Sequence, residues 1–145
     1  MTDRPTAAEI AALPKSEFAF PGPLRDRLVA AILDGRKTAT TGLAVEYETH
    51  PLPEPGEQEV VIDSDGHPVA VIETTDVRIA PLAEVPLEHA IAEGEGDRTL
   101  ETWRANHEAF WTSDDMRGEL DDPDFAIDDA TPVVLMRFRL IADLR

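Results

Sequence analysis

The spacing of the strand-forming runs constrains this chain most. Four segments are rich in β-branched and aliphatic residues: TATTGLAVEYE, EVVID, HPVAVIETTDVRI and PVVLMRFRLI. Each reads as a strand. Helical patterns separate some of them but not others, so strand and helix do not alternate regularly. A doubly wound parallel sheet needs that alternation. The order predicts an α+β domain with a curved, antiparallel or mixed sheet.

Residues Thr6 to Leu13 read as a short helix stopped by Pro14, and FPGP, Phe20 to Pro23, as a turn. Pro23 suits the first turn of a second helix, where Leu24, Leu28, Ala31 and Ile32 recur at helical spacing and Val29 and Leu33 widen the stripe. Gly35 is its stop. HPLPEPGE is a loop, and EVVID, DSDG and HPVAVIETTDVRI make a strand, turn and strand. A helix from Pro86 carries His89 and Ala92, and EGEGD (Glu93 to Asp97) breaks it. Thr99 then caps a helix through Leu100, Trp103, His107 and Phe110. Thr112 to Ala130 holds eight acids and one arginine, and reads as a solvated loop with room for one helical turn. No internal repeat and no linker between two cores is visible.

The 145 residues suffice for one domain with a core. No apolar run approaches the roughly 18–20 residues of a membrane span. MTDRPTAAEIAALPKSE lacks the apolar segment of a signal peptide. The chain has no cysteine, which removes disulfides, thiol nucleophiles and thiolate metal sites. A cytoplasmic location is the expectation. The net charge of −17 opposes a grip on long nucleic acid through many phosphates. Either the ligand is small, or a locally basic cleft sits in an acidic shell.

Against that acidity, GRKTAT (Gly35 to Thr40) stands out. The chain has thirteen basic residues but only two lysines, Lys15 and Lys37. Arginine cannot supply a free amine near neutral pH, and lysine can. Lys37 and Thr40 share a pocket if the backbone stays turned, and point to opposite faces if it is extended. A hydroxyl beside a neutral amine is a nucleophile and base in principle. The plain alternative is a lysine at a helix end and a threonine in a strand. EGEGD is either a ligand-facing acidic loop or a solvated turn. His89 and Glu93, four apart, could share a metal on one helical face, but no further ligands stand at telling distances, so no metal and no cofactor is expected. WRANH places Trp103 and His107 on one helical face beside Arg104. That is either packing or an aromatic–arginine clamp on a nucleotide.

Taken in order, LVAAILDGRKTAT, DGHPVAVIETTDVRIAPLAEV, HAIAEGEGDRTLETWRANHEAF and PVVLMRFRLI resemble the ASCH domain family (activating signal cointegrator homology). The match runs from about Leu24 to the C-terminus. The resemblance implies a PUA-like fold, a small β-barrel with flanking helices and a cleft beside the Gly-x-Lys-x-x-Thr segment. It divides the chain into a helical extension, 1–20, and the ASCH domain, 21–145. It implies action on RNA or nucleosides. Some bacterial members are amidohydrolases that deacetylate N4-acetylcytidine, and some longer ones are ribonucleases. The amidohydrolases use a lysine, a threonine three residues later and a glutamate. Lys37 and Thr40 match the first two, and Glu93 is the expected third, with Glu95 as the alternative. Arg36, Tyr47, Glu95, Trp103 and Arg104 are the expected substrate contacts. A nucleoside or short single-stranded RNA is the expected partner, and no membrane. The rival readings are a non-catalytic RNA- or nucleotide-binding module and a metal-assisted ribonuclease. Two departures stand out: FPGP replaces a Gly-Asp turn, and LMRF replaces Cys-Glu-Arg-Phe, so Met136 stands where relatives often carry a carboxylate.

Overall fold

The computed structural model describes residues 5–145. Residues 1–4, at the start of the expected extension, lie outside the described residues. Helix α1 (Ala7–Ala12) begins at Thr6, whose hydroxyl accepts from the Glu9 N–H while the Glu9 carboxylate accepts from the Thr6 N–H. This reciprocal cap fixes a helix that buries none of its residues. Strand β1 (Lys15–Ser16) follows and pairs parallel with β3 (Gln58–Ile62). Two residues are too few to show a period, so the sequence did not mark β1.

Helix α2 (Pro23–Leu33) buries Leu28, Val29, Ala31 and Ile32 of the predicted stripe, with Leu24 and Leu33 partly buried. It also buries Arg25 at 3 % exposure. The guanidinium donates to the carbonyls of Phe18, Ala19 and Asp63 at 3.2, 2.8 and 3.3 Å. Those carbonyls replace the water that the charge gave up.

Strand β2 (Ala39–Leu43) is shorter than the expected run, because Ala44–Glu48 winds into a 3-10 turn. The Glu46 carboxylate accepts from the Leu43 N–H at 2.8 Å, a local bond that ends the strand. Tyr47 folds back over Gly42, where a Cβ would stand 3.3 Å from the ring.

The β3–β4 hairpin forms as predicted, with β4 spanning Pro68–Pro81. Strand β5 (Pro132–Asp143) pairs antiparallel with both β4 and β2. The order is β1-β3-β4-β5-β2. The α+β class is as expected. The expected barrel, however, is not closed: β1 and β2 form the two edges of an open mixed sheet. A two-residue β1 offers no ladder that could reach β2.

Helices α3 (Leu87–Ala92), α4 (Leu100–Trp111) and α5 (Asp114–Leu120) cover one face of the sheet. There Leu43, Val133 and Leu135 pack with Val85, Ala90, Trp103, Trp111 and Met116. The other core joins Phe138, Val61 and Ile72 to Phe18 and the apolar face of α2. Thr112 to Ala130, read as a solvated loop with room for one helical turn, holds the seven-residue helix α5. Ser113 caps it, accepting from Met116 N–H, and Asp114 and Asp115 occupy its first turn. Acids there favour the positive helix end, and buried Met116 supplies the anchor. Among the described residues no helix is long and apolar enough to cross a membrane.

Candidate active site

Every strand gives residues to the wall of one cleft of about 1140 Å³. Lys15 and Ser16 come from β1, Glu59 from β3, Ile72 and Thr74 from β4, Met136 and Phe138 from β5, and Thr40 and Gly42 from β2.

Lys37 lies at its floor. Helix α2 ends at Leu33, Gly35 turns the chain at φ +86°, and the Lys37 N–H donates to the Ala31 carbonyl at 3.0 Å. The Thr38 N–H then donates to the Ala92 carbonyl at 2.8 Å, tying the segment to the end of α3. Gly94 permits that approach. A Cβ there would stand 2.3 Å from the Arg36 carbonyl oxygen, and its φ of +68° already favours glycine.

The Lys37 side chain is 1 % exposed. Its ammonium donates to the carbonyls of Ala39 (3.0 Å) and Glu93 (3.2 Å) and to Glu95 Oε2 (3.4 Å). Glu93 Oε1 stands 3.7 Å away. Three acceptors match the three protons of an ammonium.

Glu93 is the hub. Its Oε2 accepts from the Trp103 indole N–H and from the Thr41 hydroxyl at 3.1 Å. Its Oε1 faces His107 Nε2 at 3.2 Å. Burial pushes its carboxyl up, but the His107 bond, the Lys37 charge and the Trp103 bond prevail and hold it at about 2. Glu95 has fewer partners and a 22 % exposed side chain at the cleft edge. Burial raises its carboxyl, against the pull of Lys37. Thr41 Oγ1 also lies 2.8 Å from His89 Nε2. Since the Thr41 proton goes to Glu93, His89 is the donor here. Burial lowers its pKa, consistent with a neutral ring.

Thr40 and Thr41 alternate across β2, opposite Met136 and Leu135 respectively. Thr41 also touches the cleft, but its hydroxyl is spent on Glu93 and His89. Thr40 lines the cleft, and its hydroxyl has no hydrogen-bond partner among the described residues. Tyr47 lines the cleft as well, donating to Met136 Sδ at 3.6 Å, and burial pushes its phenol up to about 12. Arg36 lies at the rim with its Nε 2.7 Å from Asp34 Oδ2.

Lys37, Thr40, Glu93, Glu95, Arg36 and Tyr47 thus come together around one cleft. Trp103 and Arg104 do not reach its wall. Trp103 is 1 % exposed, so no ligand base can stack on it. Arg104 binds Glu108 at 2.8 Å and Asp129 at 2.6 Å, tying α4 to the loop before β5. Three members of the site were not foreseen: Thr41, His89 and His107. The signal for two of them lay in the four-residue spacings His89–Glu93, where a shared metal was weighed and not expected, and Trp103–His107, where packing and a nucleotide clamp both stood open. Glu93, Glu95 and His107 each place one ligand atom within 4.8 Å of the others, as do Asp63, Asp65 and His67. In the first group the Lys37 ammonium already supplies the positive charge.

The fold matches known proteins. The ASCH domain profile matches residues 17–142, and the chain belongs to the ASCH domain family. It is similar to an ASCH domain from Lactobacillus crispatus JV V101, with 27 % identity, a TM-score of 0.72, and coverage of 88 % of this chain and 79 % of that one. It is also similar to a protein from Enterococcus faecalis V583, with 28 % identity, a TM-score of 0.75, and coverage of 88 % and 76 %. A mutant ASCH protein from Zymomonas mobilis shares the fold at 9 % identity and a TM-score of 0.51, over 90 % of this chain and 73 % of that one. No curated protein matches the chain.

Proposed function

We propose that this chain is a hydrolase of N-acylated nucleosides of the N4-acetylcytidine type. The observation that carries the reading is the Lys37 ammonium, buried at the cleft floor on three acceptors, with the unbonded Thr40 hydroxyl in the same wall. Thr40 Oγ adds to the amide carbonyl and its proton passes to the Glu95 carboxylate, whose raised pKa makes it the better base. Once Glu95 is protonated it no longer holds its Lys37 N–H as a carboxylate, and the ammonium turns that donor to the oxyanion of the tetrahedral intermediate. That intermediate collapses, the C–N bond breaks, and the exocyclic amine leaves with the proton from Glu95. Water then hydrolyses the Thr40 ester and releases acetate. Glu93, ionised and fully bonded, orients Lys37 and transfers no proton.

The size of the cleft favours a second reading, in which the acylated base sits within a short RNA. At about 1140 Å³ the cleft exceeds the common range of roughly 300–1,000 Å³ for small-molecule pockets. The test is incubation with N4-acetylcytidine and with short acetylated and plain RNAs, with and without EDTA. EDTA-insensitive release of acetate supports the hydrolase. Saturable RNA binding without turnover replaces it with a binding module, and EDTA-sensitive strand cleavage with a ribonuclease.

A further inference from the structure

We propose that His107 is an imidazolium in this site, a positioning residue whose Nε2–H holds the Glu93 carboxylate ionised beside Lys37. The charge state follows from the bonds on either side of the ring. Nδ1 lies 2.8 Å from the Trp103 carbonyl oxygen. A carbonyl only accepts, so Nδ1 carries a proton. Nε2 lies 3.2 Å from Glu93 Oε1 and 4.0 Å from Glu95 Oε2. A neutral ring with its proton on Nδ1 would turn a lone pair toward a carboxylate, so one of the two partners must be protonated. The Trp103 N–H, the Thr41 hydroxyl and the Lys37 ammonium all favour an anionic Glu93. The proton therefore belongs to His107.

The aromatic surroundings agree. The ring is stacked on Trp103 at 4.3 Å between centroids and 27° between planes, and meets Trp111 edge-on at 5.2 Å. Aromatic faces favour a cation. Burial lowers the imidazole pKa, but the Glu93 bond and the Glu93 and Glu95 charges outweigh it, and the net direction is up. The charged and titratable groups that face the ring are Glu93 and Glu95 after α3, Lys37 before β2, and His89 on α3, which burial keeps neutral. The site is thus two cations and two carboxylates with no net charge. Loss of the His107 proton leaves it one negative charge in excess and removes the only donor aimed at Glu93 from α4 besides Trp103. The consequence for catalysis rests on the hydrolase reading; the charge state does not.

The test uses the whole chain. Long-range proton–nitrogen NMR of ¹⁵N-labelled protein reads the ring directly. Both His107 nitrogens are expected to be protonated at pH 7, with Nε2 losing its proton first as pH rises, at a midpoint above the ordinary imidazole value. A neutral ring at pH 7, or an Nε2–H tautomer after deprotonation, overturns the proposal. The second readout is the ¹³C carboxyl titration of Glu93 in His107→Gln, which keeps a donor but no charge, with His107→Asn in reserve should the first variant not fold. The Glu93 acid constant is expected to weaken at least about tenfold, and an unchanged titration overturns the positioning role. If the wild-type protein leaves N4-acetylcytidine intact, the hydrolase reading falls and the spectra still decide His107. If it hydrolyses the substrate, the alkaline limb of the rate is expected to follow the His107 midpoint and to vanish in the glutamine variant.

Discussion

The Lys37 ammonium and the Glu93 carboxylate stand 3.7 Å apart, each on a side chain 1 % exposed. A buried pair like this contributes little beyond what an apolar pair would, but breaking it strands a charge. Lys37→Met is expected to cost about 3–5 kcal/mol in denaturant unfolding. Lys37→Met combined with Glu93→Gln is expected to cost less than the two single changes added together, because the second change removes the stranded charge. Strict additivity in that cycle rejects the coupling.

Lys37→Arg keeps the charge, but the planar fork does not match the acceptor set of Ala39, Glu93 and Glu95. With the oxyanion donor displaced, N4-acetylcytidine hydrolysis is expected to fall by about 10² or more, the scale of losing one oxyanion donor. Wild-type turnover in this variant would show that any cation at the floor suffices.

The two adjacent threonines separate chemistry from structure. Thr40→Ala removes a half-buried hydroxyl with no hydrogen-bond partner among the described residues, so it is expected to leave stability within about 0.5 kcal/mol and to abolish turnover. Thr41→Val removes the bonds to Glu93 and His89, and is expected to cost about 1–3 kcal/mol. Melting curves and single-turnover assays of the pair read both effects, and the reverse pattern would move the nucleophile to Thr41.

Gly94→Ala tests the contact that holds the two motifs together. Its Cβ would lie 2.3 Å from the Arg36 carbonyl oxygen, at a φ of +68°. The strain alone is worth about 1–3 kcal/mol, and relief requires the Lys37 segment to move. Both stability and hydrolysis are expected to fall. A variant with normal activity would show that the segment can shift without harm to the site.

The pH dependence of stability has two signed limbs. Glu93 is held at about 2 when folded, against a reference of 4.5, so its contribution is present above 4.5 and is lost as pH falls toward 2. His107 is shifted upward from 6.5, so its contribution is present below 6.5 and is lost as pH rises through its folded value. The melting-temperature gap between wild type and Glu93→Gln is expected to narrow in acid, and the gap to His107→Gln in alkali. A gap that stays constant with pH removes the corresponding charge from the account.

How legible each part was depended on the range of the forces behind it. The α2 stripe, the β3–β4 hairpin and β5 are written in local periodicity, and they formed where the sequence placed them. β1 exists only because β3 lies beside it, and the 3-10 turn after β2 because Glu46 reaches back to Leu43. Trp103 and Arg104 looked like one clamp because they are adjacent. On a helix, adjacent side chains diverge by about 100°, and one went to Glu93 while the other went to Glu108 and Asp129. GRKTAT and EGEGD were each visible as unusual. That the first lies on the second became visible only through Gly94, and the spacing of His107 from Trp103 marked a shared helical face but not its packing against Glu93.

The Phe138 N–H donates to the Thr38 carbonyl at 3.0 Å, and β2 pairs along its whole length with β5. During synthesis, Lys37 leaves the ribosome roughly a hundred residues before the strand that completes its surroundings. Until then β2 has no partner strand. Long-range pairing of this kind is slow relative to local helix formation, so closure of β2 onto β5 falls late in folding. A chain that lacks this strand still carries both motifs, but it lacks the β5 residues Met136 and Phe138 that complete the wall of the cleft.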